Sequence, residues 1–517
     1  GGGGGGTHKA QPMLSTRQDD SARSTQSATG LPRRLWQHAL AIEQHTIIIA
    51  LAFVCLFALN FLAPTDPDFW WHLRTGQLIA DTGAVPQQDV FSYTALGQPW
   101  VAHEWLAELI MYGLYSCGGY VADVAFFSLV MTLAYFVIYR LLRRLGIDKT
   151  LTMGIVVWTV IVRWALWPPR PQLFTFLLFA IYLYALFSYK RFGQARLWLL
   201  PPLMALWVNL HAGYVIGLFL IALFFVGELL NRLTRRPAAD LRPLFLVGVA
   251  STLAALINPN TYVAWLYPFS YAGSGNASMR FIAEWQSPDF HSYVFLPFAV
   301  AIALLMLAGS PGRLDFTCSL LVLAFTLMSL QSVRHIVLFA LTTAPILALR
   351  LEERNVSISR PVKAGSRLMP LVNLLLLVAV PALLLVVVLS SPVSQVHATP
   401  SVKGYPAGGV AYLREHRPAG NLFNTYGWGG YLIYSLYPEY RVFIDGRADV
   451  YGDELMEEYA QVSHVGARWR EVLDRYQVAI ALVEKAAPAA VLLESQPDWR
   501  LVYEGEVEKV FLRAKAP

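Results

Sequence analysis

Side chains able to do acid–base or phosphate chemistry crowd into a few short stretches of an otherwise apolar chain. The richest reads Thr65-Asp66-Pro67-Asp68-Phe69-Trp70-Trp71-His72-Leu73-Arg74-Thr75-Gly76. A carboxylate placed here, ahead of a Trp-rich amphipathic helix pattern, can take a proton from a hydroxyl. Asp68 is the first candidate for such a base and Asp66 the second. The plainer reading is a helix start, with Asp66 as N-cap, Pro67 at the first helical position and Asp68 near the positive helix end. It suits Asp66 and leaves Asp68 available. Trp70 and Trp71 fit a membrane interface or a platform for a sugar ring.

Arginines form the second set. Arg163 and Arg170 flank Trp164-Ala-Leu-Trp167-Pro-Pro, and Arg334 precedes His335 at another apolar boundary. A guanidinium fork matches a phosphate at membrane level; contact with lipid headgroups is the simpler use. His72, Arg74, His103, Glu104, His211, Glu284 and His335 complete the residues able to bind a substrate. Glu104 and Glu108 share a helix face, but no His-Glu-x-x-His spacing exists, so no metal site is expected. Asn209 and His211 sit where Asn209-Leu-His-Ala-Gly213 breaks an apolar run.

These residues must be positioned by membrane helices. Of 517 residues, 56% are hydrophobic and only 14% charged, which excludes a cytosolic enzyme and a disordered chain. Cys55, Cys117 and Cys318 are too few for a disulfide framework or a metal cluster. About eleven spans are expected: 45–63, 120–139, 151–167, 173–189, 197–210, 214–231, 243–257, 293–309, 315–332, 336–350 and 369–391. With the N-terminus inside, the inner segments from Arg17 to Arg367 hold 21 Lys and Arg, and the outer ones five. This asymmetry fixes the orientation. The varied polar residues above then all lie at the outer surface, where costly ionisable groups mark sites.

The expected organisation is a polar tail over 1–35, a membrane unit over 36–391 with a first outer loop at 64–119, and an outer unit over 392–517. The Gly1–Gly6 run reads as a linker, with a native start at Met13. The last unit holds 13 basic and 16 acidic residues. Its β-type runs (Arg441-Val-Phe-Ile, Val478 to Val483, Lys509-Val-Phe-Leu) alternate with helix-like stretches (Gly408–His416, Asp453–Gln461, Ala467–Tyr476), the pattern of a small α/β domain. The net charge of +6 therefore reflects membrane orientation, and no nucleic-acid partner is expected. Asp445-Gly-Arg447-Ala-Asp449 reads as a turn with an internal Asp/Arg pair or as a loop facing the site.

A cytoplasmic N-terminus, one span, a long acidic first outer loop, many further spans and a C-terminal outer domain together resemble the GT-C glycosyltransferases. Asp-x-Asp-x-Trp-Trp-His-Leu-x-x-Gly (Asp66 to Gly76), Trp428-Gly-Gly-Tyr-Leu-Ile and Arg441-Val-Phe-Ile-Asp-Gly-Arg-Ala-Asp-Val-Tyr resemble a bacterial family of GT-C-like membrane proteins. The resemblance implies a mainly α, polytopic membrane protein with a soluble α/β domain. It implies an inverting transferase that moves a sugar from a polyprenyl-phosphate donor to a glycan, lipid or protein acceptor outside a bacterial inner membrane. Asp68 or Asp66 would be the base, and Arg163, Arg170 or Arg334 would hold the donor phosphate. No cofactor is implied. The first loop lacks the Asp-Glu pair of protein mannosyltransferases, so donor and acceptor identity do not carry over. Two rivals are a transporter or flippase of a lipid-linked sugar, and a non-catalytic subunit whose outer polar residues never converge.

The orientation is checked by single cysteines at Ser24 and Glu458 in a cysteine-free background. The second should react with an impermeant reagent in intact cells and the first only after permeabilisation; equal labelling of both overturns the orientation.

Overall fold

The computed structural model describes residues 1–3, 44–59, 61, 66–163, 168–193, 196–270, 282–308, 315–354, 369–390 and 404–514. The tail expected over 4–35 and the boundary at 391/392 lie outside these residues. Helices in chain order are α1 (Gln44–Leu59), α2 (Phe69–Thr82), α3 (Trp105–Arg144), α4 (Lys149–Arg163), α5 (Gln172–Phe192), α6 (Leu200–Leu210), α7 (Tyr214–Leu233), α8 (Leu241–Ala254), α9 (Tyr262–Ser270), α10 (Leu296–Ala308), α11 (Phe316–Gln331), α12 (Ile336–Glu353) and α13 (Met369–Ser390). A helix occupies each apolar stretch named above. Among the described residues four helical segments are long and apolar enough to cross a membrane: α3, α5, α7 and Val333–Glu353. The other helices of this unit are shorter, apart from α13 with 22 residues.

Two breaks interrupt these helices. In α3, Gly118 and Gly119 leave helical geometry, Gly119 at φ 62°, a conformation open to glycine. The stretch before the break belongs to the first outer loop, and the apolar stretch after it is the one expected over 120–139. Between α6 and α7, His211 is extended (φ −168°, ψ 144°), so the Asn209–Gly213 segment is a real interruption.

The C-terminal unit adds α14 (Ala407–His416), β1 (Asn421–Asn424), α15 (Gly429–Leu436), α16 (Ala448–Ser463), α17 (Trp469–Arg475), β2 (Val478–Glu484), α18 (Pro488–Glu494), β3 (Trp499–Glu504) and β4 (Glu508–Arg513). The sheet order is β1-β2-β4-β3, with β1 parallel to β2 and the remaining pairs antiparallel. Arg441 to Ile444, expected as a strand, does not join this sheet. The buried side-chain amide of Asn424 takes the place of a neighbouring strand, accepting from Phe443 N at 2.9 Å and donating to Ile444 O at 2.9 Å. The backbone of that run is thereby turned toward the first outer loop, where Val442 bridges Ser92 in parallel. Thr94 Oγ1 donates to Phe443 O at 2.6 Å.

The docking is anchored by Arg447, whose side chain is 1% exposed. It pairs with Asp89 of the outer loop at 2.8 Å and with Asp445 at 2.7 Å. Phe91 and Trp100 cover its guanidinium at 5.1 and 4.6 Å from the ring centroids. Trp70 corrects an expectation. It is buried against Tyr405, Tyr431 and Tyr434 of the C-terminal unit and so faces neither lipid nor a sugar. Glu458 is also buried, held by Arg475 and Tyr476; the outer cysteine probe belongs at exposed Glu457.

Arg447→Met should strand two buried carboxylates and cost about 3–5 kcal/mol. Lys485→Met, which breaks a pair exposed on both sides, should cost at most about 1 kcal/mol. Thermal unfolding in detergent compares them, and equal shifts would show that Arg447 is no anchor.

Candidate active site

The turn before α2 sets the first two acids. Phe69 N donates to Asp66 O at 3.2 Å, and Asp66 Oδ1 accepts Asp68 N at 2.7 Å. The helix proper begins at Phe69, with Asp68 at the capping position and making no cap bond from its side chain. The expected start, with Pro67 as first helical residue, is thus displaced by two positions. The Asp68 carboxylate is instead turned outward, accepting Trp71 Nε1 at 3.1 Å.

Arg170 follows two prolines and precedes a third, at the start of α5. Prolines here waste no amide, and Leu173 N closes onto Arg170 O at 3.1 Å. Its guanidinium meets three carboxylates: Asp66 at 3.1 Å, Asp68 at 2.7 Å and Glu284 at 2.5 Å. Glu284 arrives on a short helical turn, Ala283–Trp285. That turn is pinned to the α11–α12 junction by Ser332 Oγ to Glu284 O (2.9 Å) and Val333 N to Gln286 O (3.0 Å). Burial lifts the Asp66 carboxyl to about 7, with Arg170 pulling it down and Asp68 pushing it up. Burial also raises Asp68, against Arg170. Asp66 is nearly closed off, with 5% of its side chain exposed, against 22% for Asp68.

A second wall is built from imidazoles and glutamates. His72 Nδ1 lies 3.1 Å from Glu108 and 3.6 Å from Glu104. Glu104 also faces His103 at 3.6 Å and His211 at 3.4 Å. His211 Nδ1 accepts Gly213 N at 2.9 Å, which leaves the proton on Nε2 in the neutral ring. Arg334 Nη2 is 3.3 Å from that nitrogen, and its guanidinium lies 5.0 Å from the Trp285 ring centre. Burial holds His72 down at about 3. Burial opposes ionisation of Glu104, yet neighbouring His103 keeps its carboxyl below the usual range.

His72, Glu104 and Glu108 bring one ligand atom each within 4.8 Å of one another, and Glu108 Oε2 has no hydrogen-bond partner. Such a His/Glu/Glu set fits a divalent ion. The sequence reading expected no metal here, from helix spacing alone, while leaving a divalent ion possible; the third donor, His72, comes from a different helix.

The C-terminal unit closes the cavity. Gly446 lies so near Asp68 that a Cβ would strike its carboxylate, and a Cβ at Gly430 would strike Pro67 O. Together these surfaces enclose about 600 Å³ lined by Asp66, Asp68, His72, His103, Glu104, Arg170, His211, Glu284, Arg334 and His335. The residues expected to bind substrate therefore converge, with two exceptions. Arg74 points elsewhere, bonding Gln77 at 2.6 Å and Tyr437 O at 3.1 Å; two helical steps from His72, it occupies another face of α2. The Arg163 side chain lies outside the described residues. The lining also includes Trp71, read from the sequence as one of two tryptophans able to carry a sugar ring, Tyr426, and Asp449, together with Thr175 and Tyr267, which the sequence reading did not propose. For Asp449 the Asp445–Asp449 motif was a signal, and both of its readings hold: an internal ion pair, and a loop at the cavity.

No protein-family model matches this chain, and no curated protein sequence does. Solved structures do. The archaeal oligosaccharyltransferase AglB from Archaeoglobus fulgidus, in complex with an inhibitory peptide and a dolichol-phosphate, aligns at TM-score 0.56 and 11% identity over 88% of this chain and 70% of that one. The apo form of the Archaeoglobus fulgidus oligosaccharyltransferase aligns at TM-score 0.55 and 11% identity, over 85% and 69%. The arabinofuranosyltransferase AftD from Mycobacteria aligns at TM-score 0.51 and 12% identity over 92% of this chain and 40% of that one. The chain has the fold of the GT-C membrane glycosyltransferases, the superfamily its motifs resemble.

Proposed function

We propose that this chain transfers a sugar from a polyprenyl-phosphate donor to an acceptor hydroxyl on the outer face of a membrane, with inversion at the anomeric carbon. One observation carries the reading: the carboxylates of Asp66, Asp68 and Glu284 converge on Arg170 in a cavity between apolar helices and the C-terminal unit. A non-catalytic subunit requires no such convergence. The dolichol-phosphate held by AglB supports a lipid-phosphate donor for this fold.

Asp68 is the base, because its carboxylate is the more open of the pair at the turn. The acceptor oxygen bonds to the anomeric carbon as its proton passes to Asp68. The bond from that carbon to the donor phosphate breaks, and its electron pair leaves on the phosphate. The leaving group is already a weak base, so no general acid is needed. Arg170 is held by three carboxylates, and its role is to fix and orient them. The charge that grows on the phosphate then falls to Arg334, a guanidinium lining the same cavity.

Asp68→Asn keeps the shape of the side chain and loses the base. Turnover of polyprenyl-phosphate sugars should fall about 10²–10⁴-fold, with donor binding and thermal stability unchanged. Asp66→Asn should be milder. Transfer at the parent rate by Asp68→Asn sinks the assignment, and joint loss of stability and turnover makes Asp68 structural.

Asp66 and Asp68 titrate as a coupled pair. A base must be ionised to work, and burial moves Asp66 up to about 7 and Asp68 in the same direction. The rate should therefore rise with pH above the ordinary carboxylate range and level off once both acids are ionised. A flat profile between about pH 5 and 9 contradicts this.

A further inference from the structure

A second cleft, of about 840 Å³, lies between the C-terminal unit and the first outer loop. Four arginines line it, Arg74, Arg414, Arg417 and Arg441, against a single carboxylate, Glu439. Each arginine spends only one or two donors on the protein. Arg74 bonds Gln77 and Tyr437 O, Arg414 bonds Ser435 O, Arg417 bonds Arg414 O at 3.4 Å and Arg441 bonds Val90 O at 3.1 Å. A guanidinium carries five donors, so among the described residues most of this capacity is directed to no protein acceptor. None of the four forms an ion pair among the described residues. Elsewhere in the same unit Arg470, Arg475, Lys485, Lys509 and Arg513 each hold a carboxylate. Three of the unit's unneutralised arginines, Arg414, Arg417 and Arg441, thus meet Arg74 at one cleft, while Arg468 and Arg500, also without an ion pair among the described residues, do not line it.

We propose that this cleft binds an anionic saccharide, through a carboxylate or phosphate on the sugar. The arginines supply charge-assisted, fork-shaped contacts to such a group. Tyr434 and Tyr440, which also line the cleft, add aromatic surface on which the C–H face of a sugar ring packs. All lining residues belong to Arg74, Tyr93 and the stretch from Leu413 to Arg441. None comes from a helix of membrane length, which favours a soluble glycan over a lipid headgroup. The site is separate from the cavity around Asp68, and the proposal does not rest on sugar transfer.

The test uses the full chain in detergent, with a galacturonate tetramer and an uncharged galactose tetramer as probes, read by calorimetry. The acidic tetramer should bind at least about tenfold tighter than the neutral one, and more weakly as salt screens the arginines. The double variant Arg414→Gln with Arg417→Gln alters two exposed side chains and should lose about tenfold or more in affinity, at unchanged thermal stability. Asp68→Asn should bind the tetramer like the parent. Equal binding of charged and neutral tetramers overturns the proposal, as does full affinity in the double variant or loss of binding in Asp68→Asn. In a parallel arm, phosphatidylglycerol nanodiscs replace the tetramer. If the arginine-dependent binding appears only there, the occupant is a lipid headgroup and the saccharide assignment is wrong.

Discussion

Everything at the site depends on one guanidinium shared by three carboxylates. Arg170 joins the first outer loop, the start of α5 and the turn at Glu284, segments more than a hundred residues apart. Such a cluster is costly to desolvate, and it holds only because the cation satisfies several acceptors in a fixed fork. One cation against three acids also leaves an excess of negative charge. Burial is the larger force that raises the Asp66 and Asp68 carboxyls, with Arg170 pulling both back down.

Arg447 has the equivalent role in the next layer out. By pairing with Asp89 it joins the C-terminal unit to the loop that carries the acids, and it thereby sets Gly446 against Asp68. The closure needs a residue without a side chain at that point and a rigid partner behind it. The Asp445/Arg447 pair supplies the rigidity, and the glycine supplies the room.

The sequence exposed the helical stretches plainly, because apolar length and the bias of Lys and Arg are local properties. It also marked Asp66, Asp68, Arg170, Arg334 and Glu284 as outer polar residues in an apolar chain. What it could not carry was direction. His72 and Arg74 look equivalent in the motif, yet helical geometry sends one to the cavity and the other to the arginine cleft. Arg441 to Ile444 has strand composition, but a buried Asn424 amide, remote in sequence, claims its backbone. The approach of His72 to Glu108 joins two helices 36 residues apart, which no spacing rule within a single helix reveals.

The wall formed by Tyr426, Gly446 and Asp449 lies some 380 residues beyond Asp66. Contacts so distant in sequence form late, after long-range loop closure. During synthesis the chain therefore carries its acids long before it owns a complete pocket. A copy that ends before Gly446 lacks most of that wall, so the cavity can close only once the C-terminal unit has been made.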